Sequence, residues 1–229
     1  MPKKRPSSLS RDIHIADARL AEAYGEEASA GPDHPLHVLV RTILSQNTTR
    51  ANSSRAFQAL VSRFDGWNEV ANADVRRIAA AIKSGGLANQ KAARIRAILR
   101  EIIAEHGAAT LDWLAEMPAD AAGAYLRKFN GIGPKTAACV LLFALGREAF
   151  PVDTHVRRIA ERLGWVQPGL SDDEIHRELG RLVPAKLCYQ LHINMVQHGR
   201  EMCRARSPRC GECVIGDLCD YGRDVSSTD

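Results

Sequence analysis

An all-α fold is what this sequence predicts, on three observations. Apolar residues recur at three- and four-residue spacing along almost the whole of the 229 residues. No run alternates apolar and polar residues as a half-buried strand would. The breaks between periodic stretches carry glycine, proline or capping residues. In order, a first helix is expected from Arg11 to about Ala28, broken by Gly31-Pro32-Asp33-His34-Pro35. Leu36 to Gln46 follows, with Leu36, Leu39, Val40, Ile43 and Leu44 apolar. After Asn47 to Arg50 a third helix turns Phe57, Leu60, Val61 and Phe64 inward. Short helices at Trp67–Ala71 and Asp74–Ile82 are closed by Gly85-Gly86. Ala88 to His106 is a long helix with Ile95, Ile98, Leu99, Ile102 and Ile103 at core spacing. Leu111–Met117 and Ala119–Phe129 lead to a glycine hairpin, and Asp153–Leu163 lies beyond it. Ser171-Asp172-Asp173-Glu174 is a capping box for the next helix, and Ala185–Gly199 is the last.

Composition narrows the function classes. The net charge of +4 permits a nucleic-acid partner without demanding one. The longest apolar run, Ala137–Leu145, is far short of a bilayer span, so no membrane partner is expected. The basic start, Met1-Pro2-Lys3-Lys4-Arg5, has no apolar stretch behind it and is not a secretory signal; it reads as a solvated tail, with a nuclear address or a DNA-touching arm as the sharper alternative. Four of the six cysteines cluster, which argues for a reducing compartment and a metal rather than a disulfide scaffold. Cytoplasmic localisation follows, at the nucleoid in a bacterium, with a nucleus also compatible. Cys139 and Cys188 sit in apolar helical settings as inert core residues.

The chain is organised around Phe129-Asn130-Gly131-Ile132-Gly133-Pro134-Lys135-Thr136-Ala137. A helix ends near Phe129, Gly131 and Gly133 allow a tight turn and a close backbone approach, and Pro134 suits the first position of the next helix. That helix start offers free N–H groups to a phosphate, and its dipole disfavours the charged form of Lys135. A lysine held as the free amine is a nucleophile. Asp153, between Pro151-Val152 and Thr154-His155, is placed to cap a helix. Cys203, Cys210, Cys213 and Cys219 follow C-x6-C-x2-C-x5-C, and four thiolates so close in sequence satisfy either zinc or a cubane. Arg204, Arg206 and Arg209 lie between the first two, a positive patch suited to phosphates.

Gly-Ile-Gly-Pro-Lys-Thr-Ala, then Pro151-Val152-Asp153, then the four-cysteine loop, in this order, resemble the endonuclease III family of helix-hairpin-helix DNA glycosylases, from about Leu36 to Tyr221. The resemblance implies two helical domains with a DNA-binding cleft between them. Residues 36–147 form a six-helix barrel with the hairpin, and residues 1–35 join 148–229 in a domain holding a [4Fe-4S] cluster on the four cysteines. It implies a monomeric, bifunctional enzyme. On double-stranded DNA with damaged bases or abasic sites, Lys135 attacks C1′ of a flipped nucleotide, Asp153 stabilises the charge on the sugar, and β-elimination cuts the strand. Oxidised or ring-saturated pyrimidines are the implied substrates.

The same resemblance assigns backbone phosphate to the Gly131, Ile132 and Gly133 amides, and a supporting role to His155. It assigns Leu87 as a wedge in the vacated stack. The second wedge is a glutamine in the family, one residue after Gln46, where this chain has Asn47, so either residue could be the plug. Two further departures are Phe129-Asn130 in place of Leu-Pro and Pro134 in place of a basic residue. Two other readings compete: a mismatch-specific adenine or thymine glycosylase of the same superfamily, disfavoured by the hairpin lysine, and a DNA-binding or redox-sensing module without activity, disfavoured by the Lys135–Asp153 pair.

Overall fold

The computed structural model describes residues 6–26 and 33–222. Among them there are helices and turns and no strand, as the periodicity predicts. The basic Met1–Arg5 segment lies outside the described residues. No helix among those described is long and apolar enough to cross a membrane. The chain divides into two compact units, Gly31–Arg147 and Met1–Ala30 together with Glu148–Asp229.

The first unit holds α2 (Pro35–Ser45), α3 (Arg50–Arg63), α4 (Trp67–Asn72), α5 (Val75–Ala81), α6 (Ala88–His106), α7 (Ala119–Arg127) and α8 (Pro134–Cys139). One apolar core runs through them, with Leu39, Ile43, Leu60, Ile78, Ile95, Leu99 and Phe129 essentially solvent-free. The element expected at Leu111–Met117 is a 3-10 turn, Asp112–Glu116, and a further 3-10 turn, Lys83–Gly85, follows α5 before the closing glycine. Each sharp start has a local cause. The Thr49 hydroxyl accepts from Asn52 N at the head of α3, and the Asp74 carboxylate from Arg76 N at the head of α5. Val61, expected to point inward, is 38% exposed, because Phe57, Leu60 and the capping Phe64 fill the core face of α3. After Cys139 the apolar helix widens into a π-type turn, Val140–Ala144. Periodicity cannot foresee this, since both helix types bury the same residues.

In the second unit, α1 (Pro6–Tyr24) packs on α11 (Cys188–Glu201), which also packs on α9 (Thr154–Arg162). Here α1 starts five residues earlier than the spacing predicts and stops at Gly25, whose φ of +101° ends it. Helix α10 (Asp172–Leu182) opens on the capping box: the Ser171 hydroxyl accepts from Glu174 N, and the Glu174 carboxylate accepts from Ser171 N. Cys139 and Cys188 are both buried, and burial pushes the Cys188 thiol up to about 11, in keeping with inert core residues.

Candidate active site

Lys135 is the second residue of α8, directly after the hairpin. It is half-buried, and among the described residues it makes neither a hydrogen bond nor an ion pair. The hairpin in front of it uses its two glycines differently. Gly131 has a φ of +80°, a conformation that favours glycine, and a Cβ there would lie 2.4 Å from Arg94 Nε, so a side chain would also displace that guanidinium. Gly133 is extended, with φ −90°, and a Cβ there would meet nothing within 4 Å. Only something from outside the chain gives that position a reason to stay bare. The expected trio of phosphate-binding amides is reduced to two, because Ile132 N donates to Phe129 O at 3.1 Å and its side chain is buried in the core. Gly131→Ala is therefore expected to destabilise the protein by about 1–2 kcal/mol in thermal unfolding. Gly133→Ala should fold as the native protein does and weaken duplex binding in a titration.

Asp153 caps α9 with a single oxygen. Its Oδ1 accepts from His155 N (2.8 Å) and Val156 N (2.9 Å). Among the described residues no hydrogen bond reaches Oδ2, so the cap leaves the second carboxylate oxygen uncommitted. The turn before it is gripped by two histidines that sequence reasoning missed. His192 Nδ1 donates to Pro151 O at 2.8 Å. His176 Nδ1 donates to Asp172 O at 2.7 Å, which leaves Nε2 to accept from Val152 N at 3.1 Å. Asp153→Asn retains an oxygen for the cap and removes the charge, so base release should fall about a hundredfold with stability unchanged. Asp153→Ala should lose the same rate and about 1 kcal/mol of stability besides. Single-turnover kinetics and melting, run on both variants, separate the two effects.

The stack-filling candidates lie on two turns. Gln46 closes α2, and its Oε1 accepts from Arg94 Nη1 at 2.9 Å, which occupies the amide within the protein. Asn47 beside it is exposed and left-handed, with φ +53°, and Leu87 is left-handed, with φ +48°, and 49% exposed. Positive φ is uncommon for a non-glycine residue, tolerated by asparagine and strained for leucine. The pair of exposed residues is thus Asn47 and Leu87 rather than Gln46 and Leu87. Arg94 bonds to Gln46, 48 positions away, and lies against the Gly131 hairpin, a link invisible in sequence.

His155 sits inside its unit. A Cβ on Gly199 would fall 2.6 Å from the His155 Cβ, and His155 Nδ1 accepts from Arg158 Nη2 at 3.1 Å. Its place is between α9 and α11, bracing the helix that Asp153 caps. Arg158 also donates to Cys203 O (2.9 Å) and Gly199 O (2.8 Å). One turn on, Arg162 Nη1 donates to Cys203 Sγ (3.2 Å) and Arg204 O (2.8 Å). Of the expected positive patch, Arg204 and Arg206 remain exposed, whereas the Arg209 guanidinium is paired with Glu212.

Cys203, Cys210, Cys213 and Cys219 line one pocket together with Arg162 and Tyr221. They do not close on a point: among the described residues no three His, Cys, Asp or Glu side chains are placed to share a single metal ion. Burial, helped by the neighbouring cysteines, pushes the Cys213 thiol up to about 11, and burial raises Cys219 too. Cys213 and Cys219 lie where burial opposes ionisation, so a cationic centre that holds them as thiolates fits this loop, in keeping with an iron–sulfur cluster.

A helical chain with a glycine hairpin before a free lysine, a capping aspartate and a ring of four cysteines has the make-up of a helix-hairpin-helix base-excision protein. Residues 40–185 match the HhH-GPD superfamily of base excision DNA repair proteins, and residues 203–219 match the iron–sulfur binding domain of endonuclease III. The chain belongs to the endonuclease III family of that superfamily, a family of DNA glycosylases and AP lyases, and carries its [4Fe-4S] cluster loop. It is 35% identical to endonuclease III of Thermotoga maritima over 82% of this chain and 84% of that one. To endonuclease III of Escherichia coli it is 32% identical over 83% and 86%. It spans 55% of a 41%-identical Arabidopsis thaliana protein and only 12% of the DNA glycosylase/AP lyase ROS1 of that plant, which is 36% identical over 68% of this chain. A solved non-covalent endonuclease III–DNA complex superposes with a TM-score of 0.78 at 26% identity, covering 95% of this chain and 98% of that one.

Proposed function

We propose that this chain is a bifunctional DNA glycosylase and abasic-site lyase of duplex DNA, acting on oxidised or ring-saturated pyrimidines in the compartment that holds the genome. The observation that carries the reading is Lys135: half-buried, at the start of the hairpin helix, and without a partner among the described residues. The free amine attacks C1′ of an extruded nucleotide, the C1′–base bond breaks, and the base leaves with the bonding electrons and takes up a proton. The amine then loses a proton, and the C1′–O4′ bond of the sugar ring breaks as O4′ takes up that proton. The resulting Schiff base at C1′ loses a C2′ proton as the 3′ phosphate is expelled. Asp153 Oδ2 stabilises the positive charge on the sugar and relays the lysine's proton. The Gly131 and Gly133 amides and the exposed Arg204 and Arg206 hold phosphates without reading sequence. The cluster, when bound, orders the loop that carries those arginines. Support comes also from a solved relative of the same 0.78 TM-score and 26% identity, described as a trapped endonuclease III–DNA covalent intermediate.

The test is borohydride reduction of the native protein with two duplexes, one carrying thymine glycol and one an abasic site. A covalent adduct with both is expected. Trapping on the abasic duplex alone would overturn the substrate class, and trapping on neither would overturn the lyase mechanism.

A further inference from the structure

Lys91 is 2% exposed, on the inner face of α6, and the mechanism above does not use it. Its Nζ donates to Leu44 O at 2.7 Å and to Gly85 O at 2.8 Å, main-chain carbonyls 41 residues apart in sequence. Burying an ammonium is unfavourable, and a buried lysine normally has a carboxylate beside it; here two neutral carbonyls take that place.

Both carbonyls stand at the root of a turn that ends in an exposed, left-handed, non-glycine residue. Leu44 precedes Asn47 by three positions and Gly85 precedes Leu87 by two. With Ser207, these are the non-glycine residues of positive φ among the described ones. The roots of the two turns are in contact: a Cβ on Gly85 would lie 3.8 Å from Leu44 O. A strained residue such as left-handed Leu87 persists only where its surroundings over-determine it, and a single cation bonded to both roots fixes the two turns at once.

We infer that Lys91 is a positioning residue for nucleotide extrusion, whose buried Nζ joins the two turns so that Asn47 and Leu87 enter the duplex as one rigid pair. The inference rests on the glycosylase reading, since it takes these two residues to fill the vacated stack. Lys91→Met keeps the apolar stem and leaves both carbonyls unpaired, which frees the turns from each other.

The experiment is equilibrium binding to a duplex with one tetrahydrofuran abasic analogue, with the intact duplex as reference. Asn47→Ala, Leu87→Ala and their double variant are measured in the native and Lys91→Met backgrounds. In the native background each single change should weaken analogue binding about tenfold, and the double loss should differ from the product of the singles by about fivefold or more. In Lys91→Met the losses should multiply to within about twofold, and intact-duplex affinity should stay within about twofold of native. A native cycle that is already multiplicative overturns the coupling, and it does so even where Lys91→Met fails to fold. Equal weakening on both duplexes makes Lys91 merely structural and overturns it too. Failure of the native protein to prefer the analogue duplex would overturn the glycosylase reading itself, and this inference with it.

Discussion

Lys135→Ala is expected to abolish borohydride trapping and strand cleavage and to slow base release on the order of a thousandfold, the equivalent of about 4 kcal/mol of transition-state stabilisation. Stability should change by no more than about 0.5 kcal/mol, because Lys135 has no partner among the described residues to lose. Lys135→Arg sharpens the result. A guanidinium keeps the positive charge and does not deprotonate, so it cannot attack C1′. That variant should bind an abasic duplex about as well as the native protein and leave no adduct. An Arg variant that still traps would move the nucleophile elsewhere. An alanine variant that releases base at the native rate would leave Asp153 and a water as the catalyst.

Loss of the cluster is expected to unfold the cysteine loop. Between Cys203 and Gly222, Ile215 is the one apolar side chain that is fully buried. Burying it contributes about 2–3 kcal/mol, whereas ordering each backbone residue costs about 1–2 kcal/mol. Such a loop cannot hold itself, and the cluster must supply what the core does not. Cys213→Ser should therefore abolish the iron–thiolate visible absorption and lower the melting temperature by roughly 10 °C. Amide protection should vanish over residues 203–222. In hydrogen exchange, Gly31–Arg147 should keep its native protection, since it holds its own core. The effect should reach Asp153, because Arg158 and Arg162 on the helix it caps donate to Cys203 O, Cys203 Sγ and Arg204 O. Full protection of the loop without iron would show that the cluster is dispensable for folding.

The parts of this protein legible in its sequence are those governed by neighbours along the chain. Helical periodicity, the Ser171–Glu174 capping box, the Asp153 cap, the glycine hairpin and the close spacing of the four cysteines all depend on residues within a few turns of each other. For them local geometry decides, and it is the same in any fold. The tertiary structure decided what depends on distant partners. It paired Gln46 with Arg94 and so left Asn47 as the exposed residue of its turn. Ile132 N went to the Phe129 carbonyl, His155 against Gly199, and Arg209 to Glu212. Lys91 was buried between two carbonyls that periodicity could not bring together. A lysine on a helix is solvated by default; only the packing of α2, the Gly85 turn and α6 into one core removes its water, and with that water gone its bonds must be made within the protein.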